Sequence, residues 1–136
     1  MPKTKAFNLA EIVRHLSYDS DQGKLTTTKA IDSGQRSIKS KSAASTSAQI
    51  LDQFAKGSYE AAQYYIVVKT GSDYHALNLN VTHDGSSAYY NQFGDVKSSG
   101  DLATFSANVA SSNVRVYYTP GSSAATINYK VELVDS

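Results

Sequence analysis

The chain has no cysteine and no tryptophan, and it has only two prolines and three histidines among its 136 residues. Without cysteine there is no disulfide, thiolate zinc site, iron–sulfur cluster or cysteine nucleophile. Glutamate occurs three times, and charged residues make up 18% of the chain. This inventory is poor in the groups that most catalytic and metal sites use. We therefore expect a protein that is not an enzyme, with no cofactor and no metal.

Long apolar runs are also missing. None approaches the ~20 residues of a membrane-spanning helix, so we expect no membrane contact. Residues 1–10 hold two lysines but no apolar segment of the kind found in secretory signals. The length fits one domain with a single core.

The charge is unevenly distributed. Residues 1–41 carry eight Lys and Arg against four Asp and Glu, a net charge of +4, and residues 42–136 carry five against eight, a net charge of −3. This asymmetry is typical of a basic arm that docks on an acidic neighbour, or of a solvated polar tail. Arg36, Lys39 and Lys41 are the arm cations we expect to contact an acidic protein surface. Because no aromatic residues alternate with them, we expect no nucleic acid.

A short helix is predicted over about residues 9–17. Asn8 is a favourable N-cap, and Glu11 follows at capping-box spacing. A helix this short is barely stable in isolation. We therefore expect its apolar stripe to be buried against the rest of this chain or against another chain. The stripe is the second expected partner contact of the arm, and it consists of Phe7, Leu9, Ile12, Val13 and Leu16.

After the predicted helix, Asp19, Asp21 and Gly23 indicate a polar turn. A calcium loop of the EF-hand type would need glutamate at the twelfth position, where Ala30 stands. Residues 37–47 are rich in Ser, Ala and Lys and are interpreted as a linker or extended arm. We therefore divide the chain into an N-terminal arm, 1–47, and a β domain, 48–136.

From residue 49 onward the apolar pattern has a period of two. Seven strands are predicted at roughly ten-residue spacing, with Asp84-Gly85 as a hairpin turn and further turns at 94–95 and 120–121. Alternation is clearest in 74–83 and 125–134. The fold class is mainly β, an antiparallel β-sandwich of jelly-roll or immunoglobulin type, with an N-terminal arm that carries one short helix.

The order of these segments resembles a β-rich domain found in virion structural proteins of tailed phages, especially cyanophages. The resemblance covers about residues 49–134 and consists of strands and turns rather than a catalytic motif. Glu60 stands where the family pattern usually has a basic residue. The segments that carry the resemblance are 50–54, 64–68, 81–85, Tyr89, 93–94, 102–105, 113–116 and 119–120.

The resemblance implies a virion protein without enzymatic activity. Its leading interpretation is a capsid decoration or cement protein on the head surface, bound through its arm and body to the major capsid protein and to neighbouring copies, as a homotrimer. The alternative is a tail or fibre component whose β-sandwich binds a receptor or glycan. A small hydrolase is a third hypothesis and would require a pocket with converging polar groups.

Ten tyrosines are the remaining candidates for contact. Three adjacent pairs lie in predicted strands, 64–65, 89–90 and 117–118, and one member of each pair should face outward. Tyrosine suits both a subunit contact and a glycan platform, and strand propensity alone could also explain its frequency. The tyrosines expected to contact partners are Tyr59, Tyr74, Tyr89 and Tyr118.

His83 and Asp84 form the sharpest local pattern. A base and its orienting carboxylate could use these residue types, but strand neighbours point to opposite faces, so we interpret both as structural. His15 and His75 show no metal-ligand spacing with His83.

Overall fold

In a computed structural model, the described residues are 16–19, 24–27 and 35–136. The chain divides into two compact units, Met1–Ser33 and Gly34–Ser136. In the first unit, β1 (Leu16–Asp19) pairs antiparallel with β2 (Lys24–Thr27). Leu16 and Ser17 were expected to end a helix, and that expectation is wrong for these two, because they belong to the β1 ladder. Residues 9–15 of the predicted helix, with Phe7, Leu9, Ile12 and Val13 of the stripe, lie outside the described residues.

The second unit is built of antiparallel strands, and its described residues contain no helix. One sheet has the order β3-β10-β5-β6-β7, and the other has the order β4-β9-β8. The strands are β3 (Gln35–Ser42), β4 (Gln49–Ala55), β5 (Tyr59–Thr70), β6 (Asp73–His83), β7 (Ala88–Lys97), β8 (Ala103–Ala110), β9 (Asn113–Pro120) and β10 (Thr126–Asp135). The mainly β, antiparallel fold class is confirmed, and so are the seven strands predicted after residue 48.

The predicted linker contains a strand. Residues 35–42 form β3, which pairs along its whole length with β10 at the edge of the five-stranded sheet. The segment has little to bury, but a strand can be held by backbone hydrogen bonds to its neighbour alone. The compact units divide between Ser33 and Gly34. The division into an arm, 1–47, and a β domain, 48–136, stays a prediction.

The alternating strands bury one face each, as predicted. Leu77, Leu79 and Val81 of β6 are buried, and so are Ile127 and its alternate neighbours in β10. Both sheets contribute to one cluster of buried residues. Two buried tyrosines of the five-stranded sheet form hydrogen bonds to the three-stranded sheet. The Tyr64 hydroxyl donates to Asp52, and the Tyr129 hydroxyl donates to the carbonyl of Leu51. The two sheets therefore enclose a shared core.

Strand β7 continues through a predicted turn. Gly94 and Asp95 lie within β7, where the register with β6 shifts between Ala76 and Asn78. Gly94 has a positive φ of 68°, which a bulge requires and which glycine adopts without strain. The turn prediction was wrong because a glycine beside an aspartate suits a bulge as well as a reversal of the chain.

The bulge generates the first testable prediction. A Cβ added at Gly94 would lie 2.9 Å from the Asn78 Nδ2 atom, in a backbone conformation that disfavours side chains. We expect Gly94→Ala to lower the free energy of unfolding by about 1–3 kcal/mol in urea titrations. Gly57→Ala is the control, because its Cβ meets no atom within 4 Å. Equal losses in the two variants would contradict this account of the bulge.

Candidate functional site

The outer face of the five-stranded sheet, turned away from the core, carries most of the exposed apolar side chains described. Among residues 36–136, nine large hydrophobic residues are exposed, and the strand registers put seven of them on this face. The outer face of the three-stranded sheet instead presents residues such as Thr104, Ser106 and Asn108. The seven are Ile38, Tyr65, Tyr74, Tyr89, Phe93, Val96 and Val134. A soluble domain rarely leaves so much apolar surface on one face unless a partner covers it.

The registers arrange these residues in rows across the sheet. Ile38, Tyr65 and Phe93 share a row with Lys130 and Asn78. The next row holds Val67 and Val96, and we name Ile38, Tyr65, Val67, Phe93 and Val96 the apolar strip. Lys130 lies within the strip, with its Nζ 5.5 Å from the centre of the Tyr65 ring. The strip therefore runs from edge strand β3 to edge strand β7.

A different surface lies toward the other end of the same face. Gln63, Asn80 and Asn91 are register partners in adjacent strands, so three amide side chains stand side by side. They line an open groove of about 570 Å³. We name this groove the amide groove, and its lining residues are Ala61, Ala62, Gln63, Asn80, Val81, Thr82, Tyr89, Tyr90, Asn91 and Val134.

The tyrosines expected to contact partners differ in exposure. Tyr74 and Tyr89 are 49% and 55% exposed, so their rings are accessible. Tyr59 is half-buried against the core, with its ring edge-on to Phe54. Tyr118 is 2% exposed, and its hydroxyl donates to Gln49, so a partner could not reach its ring on this surface. Tyr118 faces inward because its alternate neighbours in β9 are core residues.

The rule that one tyrosine of each pair faces outward holds for two pairs of three. Tyr64 is buried beside exposed Tyr65, and Tyr118 is buried beside half-buried Tyr117. In the third pair, Tyr89 and Tyr90 are both exposed. Their strand, β7, is exposed on both faces over nearly its whole length, so even the side that continues the core face meets solvent.

Two of the three arm cations bind within the domain. Lys39 Nζ lies 2.9 Å from Asp52 Oδ1, and Arg36 lies 3.2 Å from Glu132 on the outer face. Lys41 is exposed and has no ion pair with an acidic side chain of the described residues. The charge of Lys39 is therefore compensated by a buried carboxylate, whereas Arg36 and Lys41 remain exposed at the surface.

Asp52 is the most buried carboxylate of the domain's described part. Its two oxygens accept from Lys39 and from the Tyr64 hydroxyl, 2.9 and 3.0 Å away. Burial first, and then the negative charge of Asp52, raises the pKa of Tyr64, so the phenol stays protonated and donates. Asp52 lies in β4 where its register with β9 shifts, and Lys39 comes from β3 of the other sheet. The carboxylate therefore links edge strand β3 to the opposite sheet.

His75 lies at the centre of a second polar cluster and is fully buried. Its Nδ1 accepts from the Leu102 amide, so the ring proton is on Nε2, which donates to Asp95 Oδ2 at 2.8 Å. Asp101 lies 4.0 Å away and accepts from Lys97. These three residues are close enough to share a cation. However, a metal ion can bind Nε2 only after the proton leaves that nitrogen. The proton would either move to Nδ1, which would break the hydrogen bond from the Leu102 amide, or be lost from the ring.

His83 and Asp84 do not bind each other. The His83 Nδ1 accepts from the Gly85 amide, and its Nε2 donates to the Tyr59 carbonyl at 2.7 Å. One Asp84 oxygen accepts from the amides of residues 86 and 87, and the other accepts from the Tyr89 hydroxyl. The structural interpretation of both residues is confirmed. In the described residues, both histidines use both ring nitrogens for structural hydrogen bonds.

No protein-family model and no curated protein matches the chain. Among solved structures, it is similar to part of the tailspike protein of Acinetobacter baumannii phage AM24, with a TM-score of 0.44 and 10% identity over 76% of this chain and 27% of that one. It is also similar to part of the Acinetobacter phage vB_ApiP_P1 tailspike protein, with a TM-score of 0.41 and 21% identity over 88% of this chain and 25% of that one. The chain thus spans about a quarter of each tailspike.

The Lys39–Asp52 pair gives the second prediction. We expect Lys39→Met to lower the free energy of unfolding by about 2 kcal/mol, because it leaves the Asp52 carboxylate buried with one partner fewer. Lys41→Met is the matched control, and it should cost about 0.5 kcal/mol or less. Adding Asp52→Asn to Lys39→Met should cost less than the sum of the single changes in urea titrations. Full additivity would contradict a direct interaction.

The Asp84 turn gives the third prediction. Hydrogen bonds from the amides of residues 87 and 86, and then from Tyr89, hold the pKa of Asp84 below 3.8. A carboxyl whose pKa is lower in the folded state stabilises the fold above its unfolded pKa, and this stability is lost as the pH falls through the folded value. We therefore expect Asp84→Asn to lose less stability than the wild type as the pH falls below about 4. Urea midpoints that fall equally in the wild type and in Asp84→Asn as the pH is lowered would contradict this prediction.

Proposed function

We propose that the chain is a structural domain of a bacteriophage particle, located in the tail, that binds a neighbouring protein through the apolar strip. Membership of a virion is supported by the sequence resemblance of residues 49–134 to β-rich domains of phage structural proteins. The binding mode is supported by the exposed side chains of the outer sheet face. In this proposal the domain acts mechanically, as a rigid sandwich-like body that joins subunits.

The exposure of the apolar strip is the observation that carries the proposal. Ile38 is 89% exposed and Val96 is 70% exposed. Aliphatic side chains have no hydrogen bonds to offer a polar ligand, and they are stabilised by contact with other apolar groups. The strip occupies two residue rows across five strands about 4.8 Å apart, which is roughly 300 Å² and lies in the range of the largest apolar patch on a typical monomer, a patch that is often functional.

Two of the arm cations weaken one contact that was expected of a capsid decoration, the leading interpretation from the sequence. That decoration was expected to anchor itself through the apolar stripe of the predicted N-terminal helix and through Arg36, Lys39 and Lys41 on an acidic surface. Lys39 is bound to Asp52 and Arg36 to Glu132, so two of the three cations have partners within the domain. Binding to the major capsid protein remains the second candidate, and the homotrimer stays a prediction, checked by the molar mass in solution.

The fourth prediction tests the strip in assembled particles. We expect Ile38→Asp and Val96→Asp to lower incorporation by about tenfold or more, because a carboxylate would be desolvated in the contact. Both side chains are solvent-exposed, so the isolated variants should keep their urea midpoints. Thr104→Asp, exposed on the other sheet, is the control and should be incorporated normally. Normal incorporation of both strip variants would contradict the proposal.

The location is tested by the number of copies per purified particle, measured by quantitative mass spectrometry against the major capsid protein. A tail component should be present in a few copies, in small multiples of three or six. Hundreds of copies in fixed proportion to the capsid protein would overturn the tail location and favour a head decoration. Absence from purified particles would overturn the proposal as a whole.

A further inference from the structure

The amide groove differs in chemistry from the apolar strip beside it. Across its floor, Gln63, Asn80 and Asn91 place three amide groups on adjacent strands. Within the described part of the chain, none of these three side chains has a hydrogen-bond partner. Each amide offers one acceptor oxygen and two donor hydrogens. The groove thus presents three groups that can each donate and accept, about 4.8 Å apart from strand to strand.

One aromatic ring, that of Tyr89, borders the amides on the outer face. Tyr89 and Tyr90 are consecutive residues of β7 that point to opposite faces of the strand, and both are about half exposed. The Tyr89 ring is held in place, because its hydroxyl donates to Asp84 Oδ2 at 2.9 Å. Asp84 is itself fixed by the amides of the following turn. The Tyr89 ring is therefore already oriented beside the groove, which lowers the entropy cost of binding a ligand there.

The lining of the groove carries no Lys, Arg, Asp, Glu or His. A nucleic acid needs cationic side chains to bind its phosphates, and the lining of the groove offers none. An apolar protein surface would bury the three amides without partners, at a cost for each group. The chemistry that fits is an uncharged ligand rich in hydroxyl groups, which can both donate to and accept from amides, with apolar ring faces for the Tyr89 ring.

We infer that the amide groove binds a neutral glycan segment, with Gln63, Asn80 and Asn91 hydrogen-bonded to sugar hydroxyls and Tyr89 packed on a sugar ring. The volume of about 570 Å³ lies in the range of small-molecule sites. From β5 to β7 the amides span roughly 10 Å, which a disaccharide unit covers. This inference does not depend on the apolar strip, which lies in different rows of the sheet.

The test uses the full chain labelled with ¹⁵N and three neutral linear hexasaccharides, maltohexaose, cellohexaose and mannohexaose. At least one should shift the side-chain amide signals of Gln63, Asn80 and Asn91 in a saturable titration. For that hexasaccharide, Asn80→Ala and Tyr89→Ala should each raise the dissociation constant by about fivefold to tenfold. Asn128→Ala is the matched control, because Asn128 is an exposed amide of the same face outside the groove, and the constant should not change.

Three outcomes would overturn the inference. The first is that no hexasaccharide moves any of the three side-chain amides. The second is that the signals move with protein concentration alone, which would assign the groove to a second copy of the chain. The third is that Asn128→Ala weakens binding as much as Asn80→Ala. Because the strip variants should bind the hexasaccharide like wild type, failure here is distinguishable from failure of the assembly proposal.

Discussion

A three-stranded sheet packs against a five-stranded sheet, and this difference in width is the constraint on which most of the domain depends. Both sheets contribute to one buried cluster, yet the smaller sheet is too narrow to shield the larger one. The two edge strands of the larger sheet, β3 and β7, are therefore exposed over most of their residues. The ion pair between Lys39 and Asp52 connects edge strand β3 to the smaller sheet. The exposed surfaces proposed for assembly and for glycan binding both include parts of these strands.

Local alternation explains what could be predicted from the sequence. Leu77, Leu79 and Val81 alternate with polar residues, and a strand with that pattern buries one face whichever strands lie beside it. The same pattern located β4, β5, β8, β9 and β10. Asp84-Gly85 marked a turn because its backbone and side-chain requirements are local. These features depend on a few consecutive residues, and the sequence contains all that they need.

Features that depend on distant partners could not be predicted in this way. Strand β3 has no apolar periodicity, because it is held by the β10 backbone. The pair Tyr89 and Tyr90 is exposed on both sides because β7 is an edge strand whose core side remains open to solvent beside Tyr90. The amide groove exists only because register aligns residues 63, 80 and 91, which are far apart in sequence. A shift of one residue in either pairing would turn an amide to the opposite face.

The bulge at Gly94 has a consequence for backbone pairing between copies of the chain. An edge strand with free backbone amides and carbonyls is a template for another strand, and such pairing leads to fibres. The bulge interrupts the straight run of β7 and increases its local twist, so the flat segment available for pairing ends there. The bulge thus limits the length of β7 along which a second copy could pair, although this edge carries much of the exposed apolar surface.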